Sequence, residues 1–271
     1  MTSGLVSLAE AFEEGVYGGK AVQLGAALRA GLPVPPGFAL AHYLAPLVVG
    51  DRDAWAARLH EAQSRLGPIV AVRSSAVGED SATASFAGQH ATVLGVRGLA
   101  GAFAAIGEVL DSATTDAAIA YRKHLGLDPN VRMGVVVQKL VLADVAGVLF
   151  TRNPVTGRDE RVIEASWGLG EAVVQGLVTP DRVRMDRGGR ITERTPGEKD
   201  LAIRWSDHGG TEEVPVATAL VHAPCLDDGM VAKLEALATR CEAVFGGTQD
   251  LEFAFEGETL FLLQRRAITR G

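Results

Sequence analysis

The feature that most constrains the fold of this chain is a pair of short apolar runs near its C-terminal end. The runs DLEFAF (250–255) and TLFLLQ (259–264) are separated by the tripeptide EGE at 256–258. Runs of this length around a glycine predict two β-strands joined as a hairpin. A three-residue loop would set Asp250 opposite Gln264, and an odd-length turn would put the polar side chains of both strands on one side. The four side chains predicted to share that side are Asp250, Glu252, Gln264 and Arg266.

This predicted polar face has the right groups to bind a metal and a phosphate. Carboxylate and amide oxygens are what Mg²⁺ prefers, and a guanidinium group pairs well with phosphate. The alternative is that the acidic residues are the solvated face of an edge strand with hydrogen-bonding neighbours, because polar strand faces are common. The residue pattern alone leaves both interpretations open.

The rest of the chain alternates between helical and strand patterns, which predicts a mixed α/β (α+β) fold. The predicted helices are residues 20–30, residues 98–111, a segment containing Ala118 and Leu125, and a segment from the cap Asp227 to Phe245. The predicted strands besides the hairpin are 69–73, 133–138 and 145–150. The sequence LDPNVR interrupts these patterns, so we divide the chain into two closely packed lobes, 1–130 and 131–271.

Composition excludes several classes of protein. The chain has 271 residues, of which 47% are hydrophobic, and a formal charge of −7, so it can bury a core but offers no broad basic surface for nucleic acid or anionic lipid. The N-terminus has no basic start followed by an apolar run, which predicts neither export nor membrane insertion. Cys225 and Cys241 stand alone, which predicts structural thiols and fits a cytoplasmic location.

Two familiar nucleotide motifs are absent. The segment from Gly15 to Lys20 has a spacing one residue too short for a P-loop, and Ala21 replaces the magnesium-binding Ser or Thr. The segment beginning at Gly168 has Val173 where a dinucleotide fingerprint needs its third glycine. A nucleotide would therefore have to be bound in another way.

Three basic residues are candidates for phosphate binding. Arg73 ends an apolar strand and opens a loop rich in Gly, Ser and Thr, where small residues let backbone amides approach an anion. Lys20 follows two glycines, and Arg122 lies on a predicted helix. Each residue could equally be a solvated surface cation, so none of these positions is decisive alone.

Taken together, five segments resemble the ATP-binding domain shared by phosphoenolpyruvate synthase, pyruvate phosphate dikinase and rifampicin phosphotransferase. The resemblance covers nearly the whole chain, and its segments occur in the family's order. They are GGKAVQLGAALRAGLPVPPGFAL, VAVRSSAVGEDSATASFAGQH, VVVQKLVLADVAGVLFTRNPVTG, EASWGLGEAVVQGLVTPDRV and QDLEFAFEGETLFLLQRRAIT.

The resemblance implies a two-lobed, ATP-grasp-like fold that holds Mg-ATP in the cleft between its lobes. Residues that match the family's phosphate-binding positions are Lys20, Arg73, Arg122 and Arg266, and we expect Lys20, Arg73 and Arg266 to take part in catalysis. Glu252 and Gln264 match the magnesium-associated positions, with Asp250 beside them. This is the same set of residues that the hairpin pattern indicates.

The resemblance also implies where the adenosine would bind. The segment Gln138, Lys139, Leu140 and Val141 resembles the strand whose backbone edge reads adenine, and Asp144 would lie near the ribose. VVVQ is also what any core strand looks like, so a purely structural Gln138 remains an alternative. The segment from Thr83 to Gln89 resembles a lid over the phosphates, and Gly168–Glu171 a second glycine loop.

Family enzymes pass phosphate through a histidine on a separate swivelling domain, which takes pyrophosphate from ATP and releases AMP. None of the six histidines here has the Thr-rich, Gly-Gly context of that histidine, and the acceptor-substrate domain is also missing. We therefore expect these domains to act in trans or to lie outside this sequence. The alternatives are a self-sufficient small-molecule kinase or ligase and a non-catalytic ATP-sensing module.

Overall fold

A computed structural model describes residues 4–78, 91–116, 118–120 and 131–268 of the chain. The chain divides into two units, each with its own sheet and core. The first unit comprises residues 1–29, 35–140 and 207–210, and the second comprises residues 30–34, 141–206 and 211–271. The predicted second helix containing Arg122 and the predicted lid Thr83–Gln89 lie largely or wholly outside the described residues.

The first unit is built on a five-stranded antiparallel sheet with the strand order β1-β2-β5-β3-β4. Its strands are β1 (Leu5–Ser7), β2 (Gly37–Leu40), β3 (Ile69–Ala76), β4 (Thr92–Arg97) and β5 (Met133–Lys139). Its helices are α1 (Glu14–Tyr17), α2 (Gly19–Arg29), α3 (Ala45–Gly50), α4 (Arg52–Ser64) and α5 (Gly98–Ser112), with a 3-10 turn at Leu8–Glu10.

The second unit is built on a six-stranded antiparallel sheet with the strand order β13-β12-β6-β7-β8-β9. Its strands are β6 (Val145–Phe150), β7 (Arg161–Trp167), β8 (Asp181–Met185), β9 (Ile191–Thr195), β12 (Gln249–Glu256) and β13 (Thr259–Ala267). A separate pair, β10 (Leu201–Trp205) and β11 (Thr211–Pro215), also belongs to this unit. The helices are α6 (Glu171–Val174), α7 (Thr218–Val221) and α8 (Asp228–Phe245).

Helix α8 covers one face of the six-stranded sheet. The Oδ1 atom of Asp227 accepts a hydrogen bond of 2.7 Å from the backbone N–H of Met230, which caps the helix as the sequence predicts. From β7, the buried Arg161 reaches α8, where it forms ion pairs with Glu235 and Glu242. The sheet therefore has a helix face, buried against α8, and an opposite face that does not pack on this helix.

The mixed α/β fold in two units agrees with the sequence prediction. The boundary differs from the one placed at residue 130, because β5 is the central strand of the first unit's sheet and pairs with both β2 and β3. Both cysteines are buried and free, as their isolation in the sequence suggests. In the described part of the chain, no helix has both the length and the apolar character needed to cross a membrane.

Candidate functional site

The C-terminal hairpin has a shorter turn than predicted, but its polar side chains still share one face. Glu256 pairs with Thr259, so the turn has two residues rather than three. Gly257 has a φ of +56°, a value that glycine adopts without strain, and this suits it to the first position of a tight hairpin turn. A β-bulge between Glu252 and Phe253 then shifts the register by one residue.

The bulge brings the four predicted side chains to one face. Glu252 lies opposite Gln264 and Asp250 lies opposite Arg266, and residues that pair directly across a sheet project from the same side. The predicted pairing of Asp250 with Gln264 is therefore wrong, whereas the predicted common face is confirmed. We call this set of four residues the polar face of the hairpin.

Asp250 and Arg266 form an ion pair within this face. The Nε atom of Arg266 donates a hydrogen bond of 2.5 Å to Oδ2 of Asp250. Burial raises the pKa of the Asp250 carboxyl, and the neighbouring Glu252 adds to this effect, whereas Arg266 opposes it. The net shift is upward, so the polar face holds Asp250 where its negative charge is costly.

The polar face lies on the side of the sheet opposite α8. Leu251 and Phe253, which alternate with Asp250 and Glu252, are fully buried on the helix face. Next to the hairpin, β6 places Val148 beside Glu252, and Val148 in turn pairs with Glu164 of β7. The hairpin thus buries apolar side chains on one face and has carboxylate, amide and guanidinium groups on the other.

In the first unit, Lys20 is held by the end of β3. The side chain of Lys20 is 5% exposed, and its Nζ atom donates a hydrogen bond of 2.9 Å to the carbonyl oxygen of Ser74. The backbone N–H of Ala21 donates to Oγ of Ser75 at 2.9 Å. The start of α2 is therefore fixed to the residues that follow Arg73.

This attachment requires glycine at position 18. Gly18 has a φ of +80°, and a Cβ atom there would lie 1.7 Å from the carbonyl oxygen of Ser75. Ser74 and Ser75 were not among the predicted site residues, although both stand in the VRSS motif directly after Arg73. Their contacts with the Lys20 segment join residues 54 positions apart, so the sequence pattern does not reveal them.

Arg73 is buried beside Gln138. The Nη1 atom of Arg73 donates to Oε1 of Gln138 at 3.4 Å, and Nε2 of Gln138 donates to the carbonyl oxygen of Pro35 at 3.0 Å. Both ends of the Gln138 amide are thus used inside the first unit, and the residue is only 2% exposed. These contacts fit the structural interpretation of Gln138, with the additional effect of orienting Arg73.

In the rest of the predicted adenine-reading segment, two backbone N–H groups already donate hydrogen bonds within the protein. The backbone N–H groups of Lys139 and Leu140 donate to the carbonyl oxygens of Pro36 and Ile69 at 2.9 and 3.2 Å. An adenine ring recognised at this segment would therefore have to use other groups, among them those of Val141. The adenine-binding role of Gln138–Val141 stays a prediction.

Asp144 has a structural partner in the second unit. Its Oδ2 atom accepts a hydrogen bond of 2.8 Å from the backbone N–H of Gly257 in the hairpin turn. Its carbonyl oxygen accepts another, of 2.7 Å, from Gly168, the first residue of the predicted glycine loop. Asp144 thus joins the turn to the glycine loop, and its proximity to a ribose stays a prediction.

The glycine loop leads directly into the short helix α6. Burial raises the pKa of Glu171 at the start of this helix, and a hydrogen bond with Thr211 partly opposes the shift. The sequence pattern places Glu171 at the end of the glycine loop but gives no sign that the pKa of its carboxyl is raised.

The donor set of the polar face fits magnesium bound together with a nucleotide. Among the residues that the structure describes, no group of three or more His, Cys, Asp or Glu side chains could hold a metal ion. Mg²⁺ in nucleotide sites usually takes one or two carboxylates and completes its coordination with phosphate oxygens and water. Glu252, with the amide oxygen of Gln264, provides a set of that kind, and Asp250 lies beside them on the same face.

The comparisons with known proteins identify the family. The chain belongs to the family described as "Pyruvate phosphate dikinase, AMP/ATP-binding domain", whose profile matches residues 52–271. Lys20 lies before this range. The family assignment covers Arg73 and every residue of the polar face.

Two similar proteins illustrate the relationship. A rifampicin phosphotransferase from Streptomyces sp. is 42% identical over 201 residues, which cover 73% of this chain and 23% of that protein. A protein named "Probable phosphoenolpyruvate synthase" from Methanothermobacter thermautotrophicus is 36% identical over 302 aligned residues, which cover 94% of this chain and 44% of that protein. The chain therefore spans less than half the length of either relative.

The similarity to solved structures is weaker than the similarity to these sequences. A D-alanine–D-alanine ligase from Bacillus anthracis, crystallised with ATP, superposes with a TM-score of 0.41 at 8% identity, covering 97% of this chain and 59% of that one. The family assignment rests on the sequence matches.

Proposed function

We propose that this chain binds Mg-ATP and positions it for transfer of a pyrophosphoryl group to a histidine on a separate swivelling domain, with release of AMP. The observation that carries this proposal is the polar face of the hairpin, where two carboxylates, an amide and a guanidinium group converge. Family membership adds the ligand class, because the matching domain is an AMP/ATP-binding domain.

Positive charge for the phosphates would come from three residues, Lys20, Arg73 and Arg266. Each of them is held by a neighbouring side chain or backbone group. Fixed cations stabilise the charge that develops on transferred and departing phosphoryl oxygens without having to reorganise during the reaction. We assign Lys20, Arg73 and Arg266 to this role.

Glu252 and Gln264 would hold the magnesium ion, and Asp250 would support them while restraining Arg266. When bound, the ion would supply additional positive charge to the phosphate oxygens. The attacking histidine would come from the swivelling domain, forming a bond to the β-phosphorus while the bond to the AMP oxygen breaks. This domain and the acceptor-substrate domain are proposed partners, either in trans or in a longer protein.

A binding experiment tests the first part of the proposal. Titration of the protein with ATP in the presence of Mg²⁺ should give saturable binding, and Glu252→Gln should weaken it by at least about tenfold, as expected for the loss of a charged ligand. Glu256→Gln is the matched control, because Glu256 lies on the same strand and loses the same charge but sits next to the turn. Equal affinities in both variants would contradict the assignment of Glu252.

A turnover experiment tests the second part. The protein should be incubated with Mg-ATP and a histidine-bearing swivelling domain from a family relative, and the nucleotides separated by chromatography. We expect AMP to form only when both proteins are present and only when the histidine is intact. ADP formed without the added domain would instead indicate a self-sufficient kinase.

A further inference from the structure

The hairpin contains two consecutive arginines that point to opposite faces of the sheet. Arg266 lies on the polar face, where it pairs with Asp250. Arg265 lies opposite Leu251 on the helix face and is only 8% exposed. Which of the two arginines faces the carboxylates depends entirely on the register of β13 against β12.

Two registers are compatible with the two-residue turn. Phe253 pairs with Leu262, so an unbulged continuation would place Leu263 opposite Glu252 and Arg265 opposite Asp250. The observed bulge adds Leu263 as an extra residue, and Gln264 and Arg266 take those places instead. A slip to the unbulged register would exchange the two arginines between the faces.

Contacts on the helix face hold Arg265 in the observed register. Its Nη1 atom donates a hydrogen bond of 2.7 Å to Oε1 of Gln249, and its guanidinium carbon lies 4.0 Å from the centre of the Phe245 ring. Gln249 is itself fixed, because its Nε2 atom donates to the carbonyl oxygen of Gly246 at 2.6 Å and its backbone N–H donates to Oγ1 of Thr151 at 2.8 Å. Arg265 therefore joins β13 to the end of α8.

We infer that Arg265 is a positioning residue: by binding Gln249 and stacking on Phe245, it selects the bulged register and so places Gln264 and Arg266 on the polar face. This inference rests on the proposed function, in which Gln264 binds magnesium and Arg266 binds the phosphates. In the unbulged register the helix face would lose these contacts. A leucine would also replace Gln264 beside Glu252.

Deletion of Leu263 offers a rescue that separates positioning from general stability. In the shortened strand Gln264 directly follows Leu262, so an unbulged hairpin with the same turn places Gln264 opposite Glu252 and Arg266 opposite Asp250. The deletion therefore produces the functional register without needing Arg265 to select it. We expect the protein with this deletion alone to bind Mg-ATP as the natural chain does.

The test compares Arg265→Met, deletion of Leu263 and the combination of both. Arg265→Met retains an apolar side chain against Phe245 and should weaken Mg-ATP binding by about tenfold, comparable to losing one charge-assisted contact. The combined variant should recover affinity close to that of the natural chain. Unchanged affinity in Arg265→Met, or equal weakness of the single and combined variants, would overturn the inference.

A second measurement reads the register without ATP. Cysteines introduced as Glu252→Cys and Gln264→Cys lie directly opposite each other in the bulged register, within the range in which a cross-strand disulfide can form. The natural thiols should not compete, since burial raises the pKa of both Cys225 and Cys241, the latter to about 11.

We expect the disulfide to form readily in the otherwise natural chain and poorly when Arg265→Met is added. Equal disulfide formation in both backgrounds would overturn the inference. Failure of the natural chain to bind Mg-ATP would instead count against the proposed function, and the disulfide measurement would still decide the role of Arg265.

Discussion

Asp250 and Arg266 face each other across the C-terminal hairpin, and Nε of Arg266 donates a 2.5 Å hydrogen bond to Oδ2 of Asp250. The pair joins an acidic and a basic residue of the polar face. Because burial outweighs the attraction of Arg266, the pKa of Asp250 remains raised. Ionisation of Asp250 therefore costs folding free energy.

The first prediction concerns Asp250→Asn. A raised pKa in the folded state means that the ionised carboxylate disfavours folding, so the stability contributed by the protonated form is lost as pH rises through the folded pKa. At neutral pH, Asp250→Asn should therefore unfold at the same or a higher temperature than the natural chain. Any gain in stability should shrink as the pH falls below the folded pKa.

The same substitution, Asp250→Asn, should lower the affinity for Mg-ATP. Removing the charge should weaken Mg-ATP binding by about tenfold, because a charged hydrogen-bonding partner of Arg266 is lost. Thermal unfolding from pH 4 to 8 and ATP titration would measure the two effects. A variant that is less stable at neutral pH and binds ATP normally would contradict both expectations.

The second prediction concerns Lys20→Met. The substitution keeps an apolar stem in the buried site but removes the ammonium group that contacts Ser74. We expect Mg-ATP affinity to fall by roughly 10- to 100-fold, in line with the loss of a charged hydrogen-bond donor. Arg65→Met is the control: it removes a positive charge from an exposed ion pair in the same unit and should leave affinity unchanged.

The third prediction concerns Gly18→Ala. The positive φ and the carbonyl oxygen of Ser75 leave no room for a Cβ atom, so the variant should lose at least about 1–3 kcal/mol of unfolding free energy. Gly15→Ala is the matched control. It lies in α1 with nothing within 4 Å of its added Cβ and should be neutral or slightly stabilising. Denaturant unfolding would measure both, and similar losses would rule out the steric explanation.

The fourth prediction concerns the buried pair of Lys199 and Asp181, whose side chains are 0% and 6% exposed and 2.5 Å apart. Burial acts to raise the pKa of Asp181, but hydrogen bonds from Gly197, Lys199 and Cys225 outweigh it and lower the pKa overall. A lowered folded pKa contributes stability above the unfolded value, near 3.9, which is lost as pH falls through the folded value.

In Asp181→Asn, the unfolding free energy should therefore depend less on pH under acidic conditions. At pH 7 the variant should be less stable by about 3–5 kcal/mol, because Lys199 keeps a buried charge without its counterion. The gap between the variant and the natural chain should narrow at low pH. Unfolding free energies measured from pH 3 to 7 would show this, and a constant gap would contradict the linkage.

The hairpin is predictable because its polar residues follow the two-residue period of a strand. Asp250, Glu252, Gln264 and Arg266 could be grouped on one face by parity alone. The turn length could not be predicted, because a three-residue loop and a two-residue turn with a bulge give the same parity. Only the pairing of Glu256 with Thr259 distinguishes them.

Other features depend on contacts between residues distant in sequence. Gln138 lies 65 positions from Arg73 and 103 from Pro35, yet its amide contacts both, so a strand pattern such as VVVQ cannot reveal its role. The boundary at 130 was misplaced for a related reason. Strand β5 follows a break in the sequence pattern but completes the sheet of the preceding unit.

The packing of Gly18 against Ser75 has a consequence for the thermodynamics of ligand binding. A lysine side chain can lose about 2 kcal/mol of rotamer entropy when it becomes immobile. Lys20 undergoes much of this loss during folding, when α2 is attached to β3 and Nζ is fixed on Ser74. An anionic ligand that meets Lys20 therefore encounters a side chain with little freedom left to lose, so more of the electrostatic attraction is available as affinity.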